Sequence, residues 1–269
     1  MCSRPMRFLA CVMLLMGSVA AQTGAPPAPA NPEQANSQRA RALLEQGLKA
    51  LGGQAYLSLV DMRQEGRSYG FYHGQAKGVG TRFWRFWKWP DKERIELTKE
   101  RDVIYIHNGD KGYEITFRGT RPEAAKDLAE FLLRRQYSLD QVFRVWLTQP
   151  GVQYFYDRVA VAENKPAEQV TIMTPGGLVQ TIFLDRNTSL PIAKSFTFRD
   201  PETRDRTEEL ESYDNYHLVQ GVNTPLTITR KQNGEMFGQR FITSTVYNSG
   251  LADSLFTATP TYDPEAKKP

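Results

Sequence analysis

The chain has 269 residues, of which 40% are hydrophobic, 11% aromatic and 24% charged, and its formal net charge is +4. That much apolar material excludes global disorder, and confinement of the one long apolar run to the N-terminus excludes a multi-pass membrane protein. The mild positive balance gives no reason to expect nucleic acid as a partner.

Arg4 and Arg7 form a short basic start, residues 8–17 an apolar stretch too short to span a bilayer, and Ser18-Val19-Ala20-Ala21 a small-residue cleavage site. This is the pattern of a secretory signal peptide, expected over residues 1–21. Both cysteines, Cys2 and Cys11, fall inside it, so the mature chain is read as lacking thiols and disulfides. Losing the two cations Arg4 and Arg7 takes the net charge from +4 to +2. Residues 22–36 hold Pro26, Pro27, Pro29 and Pro32 among Ala, Gly and Asn. With little to bury, they are expected to be a flexible tether. Residues 261–269 are similarly polar and are expected to form a loose tail. No linker composition interrupts residues 37–260, which read as one domain.

Ala40, Leu44, Leu48 and Leu51 make one apolar stripe on a helix, and Gly52-Gly53 supplies its stop. The period then changes from helical to alternating. Residues 103–107 and 113–117 flank Asn108-Gly109-Asp110-Lys111-Gly112 as a hairpin. Pro122 suits the first position of a helix carrying Leu128, Phe131 and Leu132. Ser138 is placed to cap a second helix, in which Leu139, Val142, Phe143, Trp146 and Leu147 keep a clean helical period up to Pro150. Residues 178–184, 192–198, 226–229 and 241–247 read as strands. Their turns fall at Pro175-Gly176-Gly177, Asp185-Arg186-Asn187 and Asn233-Gly234. Strands in succession without intervening helices imply antiparallel pairing, hence an α+β fold.

The sequence carries few marks of covalent or metal chemistry. Gly66-Arg67-Ser68-Tyr69-Gly70 matches the nucleophile-elbow string, but the glycines that follow allow no helix after it, so a serine hydrolase built on Ser68 stays a minor alternative. His73, His107 and His217 lie far apart, with no metal-ligand spacing, and read as strand-end or surface residues. Glu208, Glu209 and Glu211 sit among Arg204, Asp205 and Arg206, a mixed-charge run expected on a solvated strand face. No cofactor or phosphate fingerprint is present, and no cofactor, metal site or enzymatic activity is expected.

The unusual stretch is Arg82-Phe83-Trp84-Arg85-Phe86-Trp87-Lys88-Trp89-Pro90, aromatic and basic on both faces of a strand. It fits a stacking surface for single-stranded nucleic acid, which export disfavours, or a membrane interface. It also fits a sheet with a packed helix on one side and a ligand cavity on the other, or a plain aromatic core with snorkelling cations.

The order of short motifs is more informative than any one of them. A helix ending Ala50-Leu51-Gly52-Gly53 precedes Trp89-Pro90-Asp91-Lys92-Glu93-Arg94. Then come Leu184-Asp185 to Leu190-Pro191, Gly221-Val222-Asn223-Thr224-Pro225 and Leu251-Ala252-Asp253-Ser254-Leu255-Phe256. In this order the chain resembles the LolA/LolB-like superfamily of periplasmic outer-membrane lipoprotein carriers. The resemblance implies a strongly curved antiparallel sheet, an open or half β-barrel, with helices covering the concave side. It implies no covalent chemistry and a hollow for a lipid or a lipoprotein acyl chain, with transient membrane-surface or envelope-protein contact. The location implied is the periplasm, with secretion the alternative. Arg82, Arg85 and Arg94 are candidates for the buried arginine of such carriers. The expected ligand-binding set is Trp84, Phe86, Ile104, Ile106, Phe183, Phe196 and Phe198 from strands, with Phe131, Phe143 and Trp146 from helices. A competing expectation is an envelope sensor or scaffold that binds a protein partner through an exposed ribbon at Trp84, Trp87 and Trp89.

Overall fold

A computed structural model describes residues 31–199 and 204–262. The expected signal peptide, residues 22–30 of the tether and residues 263–269 of the tail lie outside the described residues. The elements begin with α1 (Pro32–Leu51), the single turn α2 (Gln54–Leu57), β1 (Asp61–Tyr72), β2 (Gln75–Ala76), β3 (Thr81–Lys88) and β4 (Lys92–Leu97). They continue with β5 (Val103–Asn108), β6 (Lys111–Thr116), β7 (Gly119–Pro122), α3 (Ala125–Gln136), α4 (Leu139–Arg144) and a 3-10 turn (Trp146–Thr148). After these come β8 (Gln153–Ala162), β9 (Lys165–Met173), β10 (Val179–Asp185), β11 (Pro191–Arg199), β12 (Arg206–Val219), β13 (Val222–Gln232), β14 (Glu235–Tyr247) and a second 3-10 turn (Asp253–Phe256).

All pairings are antiparallel and form one open sheet in the order β7-β6-β5-β4-β3-β1-β14-β13-β12-β11-β10-β9-β8, with β2 paired to the end of β1. The two edges, β7 and β8, are consecutive strands in the chain, and α3 and α4 are the connection between them. Strands far apart in this order share one core. Met62 and Trp87 pack in a single cluster with Tyr154, Ile182, Val222, Tyr247, Leu44 of α1 and Phe143 of α4. A flat sheet would hold these strands tens of ångströms apart at about 4.8 Å per strand, so the sheet curls around α1 and α4. This is the open half-barrel.

Several elements follow local rules. α1 buries Ala40, Leu44, Gly47 and Leu51 on one face. A Cβ at Gly47 would stand 2.9 Å from Leu184 Cδ2, so glycine there lets the helix sit close on β10. Gly52 and Gly53, both at positive φ, end the helix, and Gly53 N donates to Leu48 O at 2.9 Å. Ser138 caps α4 by accepting from Gln141 N at 3.2 Å. Asn233-Gly234, with φ of 49° and 84°, closes the β13–β14 hairpin.

Three boundaries differ from expectation. Residues 32–36, expected in the tether, belong to α1. Pro32 takes the first helical position, and the Asn36 amide both accepts from Tyr156 N and donates to Tyr156 O, each at 2.8 Å, on edge strand β8. Pro122, expected to start a helix, ends β7 opposite Tyr113, where an edge strand tolerates its missing N–H; α3 starts at Ala125. Thr261 and Tyr262, expected in the loose tail, donate from their backbone N–H groups to Thr120 O on edge strand β7 at 2.8 and 3.3 Å.

Candidate functional site

Side chains alternate across each strand, so β3 points Phe83, Arg85 and Trp87 one way and Trp84, Phe86 and Lys88 the other. Trp87 joins the inner core with α1, while Trp84 and Phe86 pack with Leu251, Leu255 and Phe256 on the outer face. The C-terminal segment is held on that outer face by Asp61. Its carboxylate accepts from the backbone N–H of Ser249 (2.7 Å), Gly250 (2.9 Å) and Leu251 (2.9 Å). Burial pushes the Asp61 carboxyl up, but these donors outweigh it and hold it below its ordinary value.

On the inner face, between the sheet and α3, lies a hollow of about 230 Å³. Trp87, Trp89, Ile95, Phe131 and Ile228 give it apolar walls. Most of the rest of its lining is charged. Arg85 makes two bonds to Glu93 (2.9 and 2.6 Å), and Arg230 donates to Glu211 at 2.8 Å. Lys194, 3% exposed, lies 3.7 Å from Glu211 and donates to the Tyr137 carbonyl at 2.6 Å. Arg240 also lines the hollow. These groups share a region because their strands are neighbours. Lys194, Glu211 and Arg230 stand side by side on β11, β12 and β13, and Ile228 is opposite Arg240 on β14.

The charges shift one another. Burial alone would raise Glu93 and Glu211, but Arg85 holds Glu93, and Lys194 with Arg230 hold Glu211, below the usual carboxylate range. Burial pulls Lys194 down from the usual lysine range, against Glu211. Arg230 is pulled down by burial but raised overall by Glu211. Arg240 is pulled down to about 9 by burial and by the neighbouring guanidinium groups of Arg230 and Arg85.

α3 closes the hollow from above and buries none of its own residues fully. Polar ties hold it. Arg134 Nε donates to both oxygens of the buried Glu209 at 3.0 Å, and Arg135 donates to the carbonyls of Gly109 (2.7 Å) and Asp91 (3.1 Å). Phe131 stacks on His107 with ring centroids 3.5 Å apart, and His107 Nε2 is 2.8 Å from Glu123. A Cβ at Gly112 would collide with the Glu123 carboxylate, so glycine lets the segment leading into α3 close on β6. α4, by contrast, buries Val142 and Phe143, and Arg144 donates to the carbonyls of Tyr56 (2.7 Å) and Leu59 (2.8 Å). The hinge between the helices is pinned at Tyr137, whose carbonyl accepts from both Gln180 and Lys194 and whose ring stacks on Phe196 at 4.1 Å.

The ten residues expected to line one hollow do not converge. Phe131 lines it. Phe143, Trp146 and Phe196 are buried in the closed core around α1 and α4, with Phe198 packed against them. Trp84 and Phe86 face outward, and so do Ile104 and Ile106, whose register partners on β4 are those of Trp84 and Phe86. Phe183 also faces outward, with Ala162, Ala167 and Ile192, because its neighbours Ile182 and Leu184 fill the core. Trp84, Trp87 and Trp89 are each half-buried, so the ribbon is not an exposed surface. Of the candidate arginines, Arg85 faces the hollow, while Arg94 turns outward to Glu96 and the Leu255 carbonyl, and Arg82 is exposed.

Two further expectations change. His107 stands at the end of β5, but is buried under α3 and not on the surface. Glu209 and Glu211, expected on a solvated face, turn inward because they alternate with Glu208 and Leu210 on β12 and meet inward cations. Ser68 lies within β1 and its hydroxyl donates to Thr81 O at 3.4 Å, with no helix following. Among the described residues no group of three His, Cys, Asp or Glu could hold a metal ion.

No family model matches the chain, and no curated protein matches its sequence. Its fold has solved counterparts. A DUF1329 family protein from Desulfovibrio piger superposes with a TM-score of 0.58 at 13% identity, over 82% of this chain and 97% of that one. A LolA superfamily protein from Nitrosomonas europaea gives 0.50 at 13% identity, over 81% and 97%. An outer-membrane lipoprotein-sorting protein domain from Vibrio parahaemolyticus gives 0.51 at 8% identity, over 82% and 97%. The open antiparallel sheet with helices across its concave side is thus the LolA-type fold.

Proposed function

We propose that the protein is a non-enzymatic binder or carrier of a lipid or another amphiphilic molecule in the cell envelope, held in the hollow between the sheet and α3. One observation carries this reading. A helix with no fully buried residue spans a hollow that has aromatic walls; polar ties and half-buried apolar contacts, Leu133 on the core and Phe131 on His107, hold it there, while α4 buries Val142 and Phe143 in the core. A helix serving only to complete the core would bury an apolar face. As it stands the hollow, about 230 Å³, is below the roughly 300–1,000 Å³ of small-molecule pockets, so loading requires α3 to lift. Each CH2 group taken from water then contributes about 0.8 kcal/mol to binding. The secretory pattern of residues 1–21 supports a location outside the cytoplasm.

The test is native mass spectrometry and solvent extraction of the protein purified from its own envelope, followed by titration with a fluorescent acyl probe. A stoichiometric co-purifying amphiphile, or saturable probe uptake, is expected. An empty protein that takes up no probe overturns the reading.

A further inference from the structure

Four cations and two carboxylates meet at the floor of the hollow. Glu93 is engaged by Arg85, and Glu211 by Arg230, Tyr213 and Lys194. Arg240 makes no hydrogen bond and no ion pair among the described residues, although its strand places it beside both pairs. Its guanidinium offers five donors to the hollow, and the two nearest carboxylates are already taken. An arginine left unpaired in a partly dry cavity costs free energy unless an anion reaches it. Sequence economy offers no reason to keep it, since a leucine would fit the alternation with Ile242 and Ile228 better.

We infer that Arg240, flanked by Arg85 and Arg230, is the seat of an anionic group, a carboxylate or phosphate, on the molecule held in the hollow. The inference rests on the hollow being a binding site and adds the chemical class of what enters it. The planar fork of a guanidinium matches both anions bidentately. Ile95, Ile228 and Trp87 line the same hollow, so an apolar tail attached to the anion has walls to lie against. The preferred cargo is therefore an anionic amphiphile, such as a fatty acid or an acidic phospholipid, and not a neutral one.

The test compares a dansyl-labelled undecanoic acid with its methyl ester, on the wild-type protein and on Arg240→Met, with inorganic phosphate as a third probe. The acid is expected to bind at least about tenfold more tightly than the ester, a difference of about 1.4 kcal/mol. Arg240→Met is expected to abolish that preference while keeping ester binding. Removing an unpaired cation should raise the melting temperature of the empty protein, which shows that the variant folds. Failure of the variant to fold leaves the acid–ester comparison on the wild type to decide. Phosphate that displaces the acid and raises the wild-type melting temperature places the anion itself at Arg240. Phosphate that does neither, while the acid outbinds the ester, assigns the site to a headgroup whose tail is needed. Equal binding of acid and ester, or an undiminished preference in Arg240→Met, overturns the inference and leaves the amphiphile reading standing. Phosphate stabilisation lost in Arg240→Met, without uptake of either acyl probe, keeps the anion seat and overturns the amphiphile reading. No response to any of the three probes overturns both.

Discussion

Glu211→Gln removes the charge shared by the buried Lys194 and the half-buried Arg230. The Glu211 carboxylate accepts from Arg230 Nε at 2.8 Å and from the Tyr213 hydroxyl at 2.6 Å, with Lys194 Nζ at 3.7 Å. Breaking a buried pair while leaving its partner charged costs about 3–5 kcal/mol. At about 2–4 °C per kcal/mol for a domain of this size, the melting temperature should fall by roughly 6–20 °C. The loss should depend on pH with a defined sign. Lys194 and Arg230 outweigh the burial that would raise this carboxyl, and hold it below its ordinary 4.5. Its stabilisation is therefore complete above 4.5 and disappears as pH falls through the lowered value, so the two proteins converge in acid. Circular dichroism melts from neutral pH downward measure both effects. Replacing Lys194, Glu211 and Arg230 together by Met, Leu and Met, with Tyr213→Phe so that no hydroxyl is orphaned, should restore most of the loss. A melting temperature that drops by under about 2 °C in Glu211→Gln, or a combined variant no better than the single one, refutes the reasoning.

Phe86→Ala should cost about 3–5 kcal/mol in urea denaturation and leave acyl-probe retention unchanged, because Phe86 packs on the outer face against Leu251 and Phe256. Glu209→Gln releases Arg134, so amide exchange in α3 should quicken roughly tenfold or more, given that hydrogen bonds to charged groups are worth about 1.5–3 kcal/mol, while α4 stays protected. Asp61→Asn should destabilise by about 1–3 kcal/mol and expose the segment from Ser249 to protease; because burial, which raises Asp61, is outweighed by three backbone donors, this loss too should vanish as pH falls below 3.8.

The elements were legible where periodicity was clean. The stripe of α1 with its glycine stop, the cap at Ser138, and the β5–β6 and β13–β14 hairpins stand where propensity and turn chemistry put them. Faces were harder to read. β3 is aromatic and basic on both sides, so nothing local tells Trp87 from Trp84, and only the C-terminal segment packed on the outer face decides it. The inward charges did leave a signal. Lys194 shares its parity with Phe196, Arg85 with Phe83 and Trp87, and Arg240 with Ile242. Once one member of such a pair is placed on the core face, period two carries the cation inward with it. Glu209 and Glu211 were masked by their exposed neighbours, since a mixed-charge run reads the same whether one of its faces is wet or dry.

An open half-barrel has two raw margins, and each is a row of backbone donors and acceptors ready to pair with another strand. Here the chain covers part of both with its own ends. The Asn36 side chain satisfies Tyr156 on β8, and Thr261 with Tyr262 satisfies Thr120 on β7. The sheet thus stays unclosed without presenting these positions as a template for copies of itself. Trimming residues 32–36 or 261–262 touches no part of the core cluster, yet it uncovers those positions. The consequence falls on solubility more than on folding: concentration-dependent association through β7 or β8, in a protein whose hollow and melting behaviour are otherwise intact.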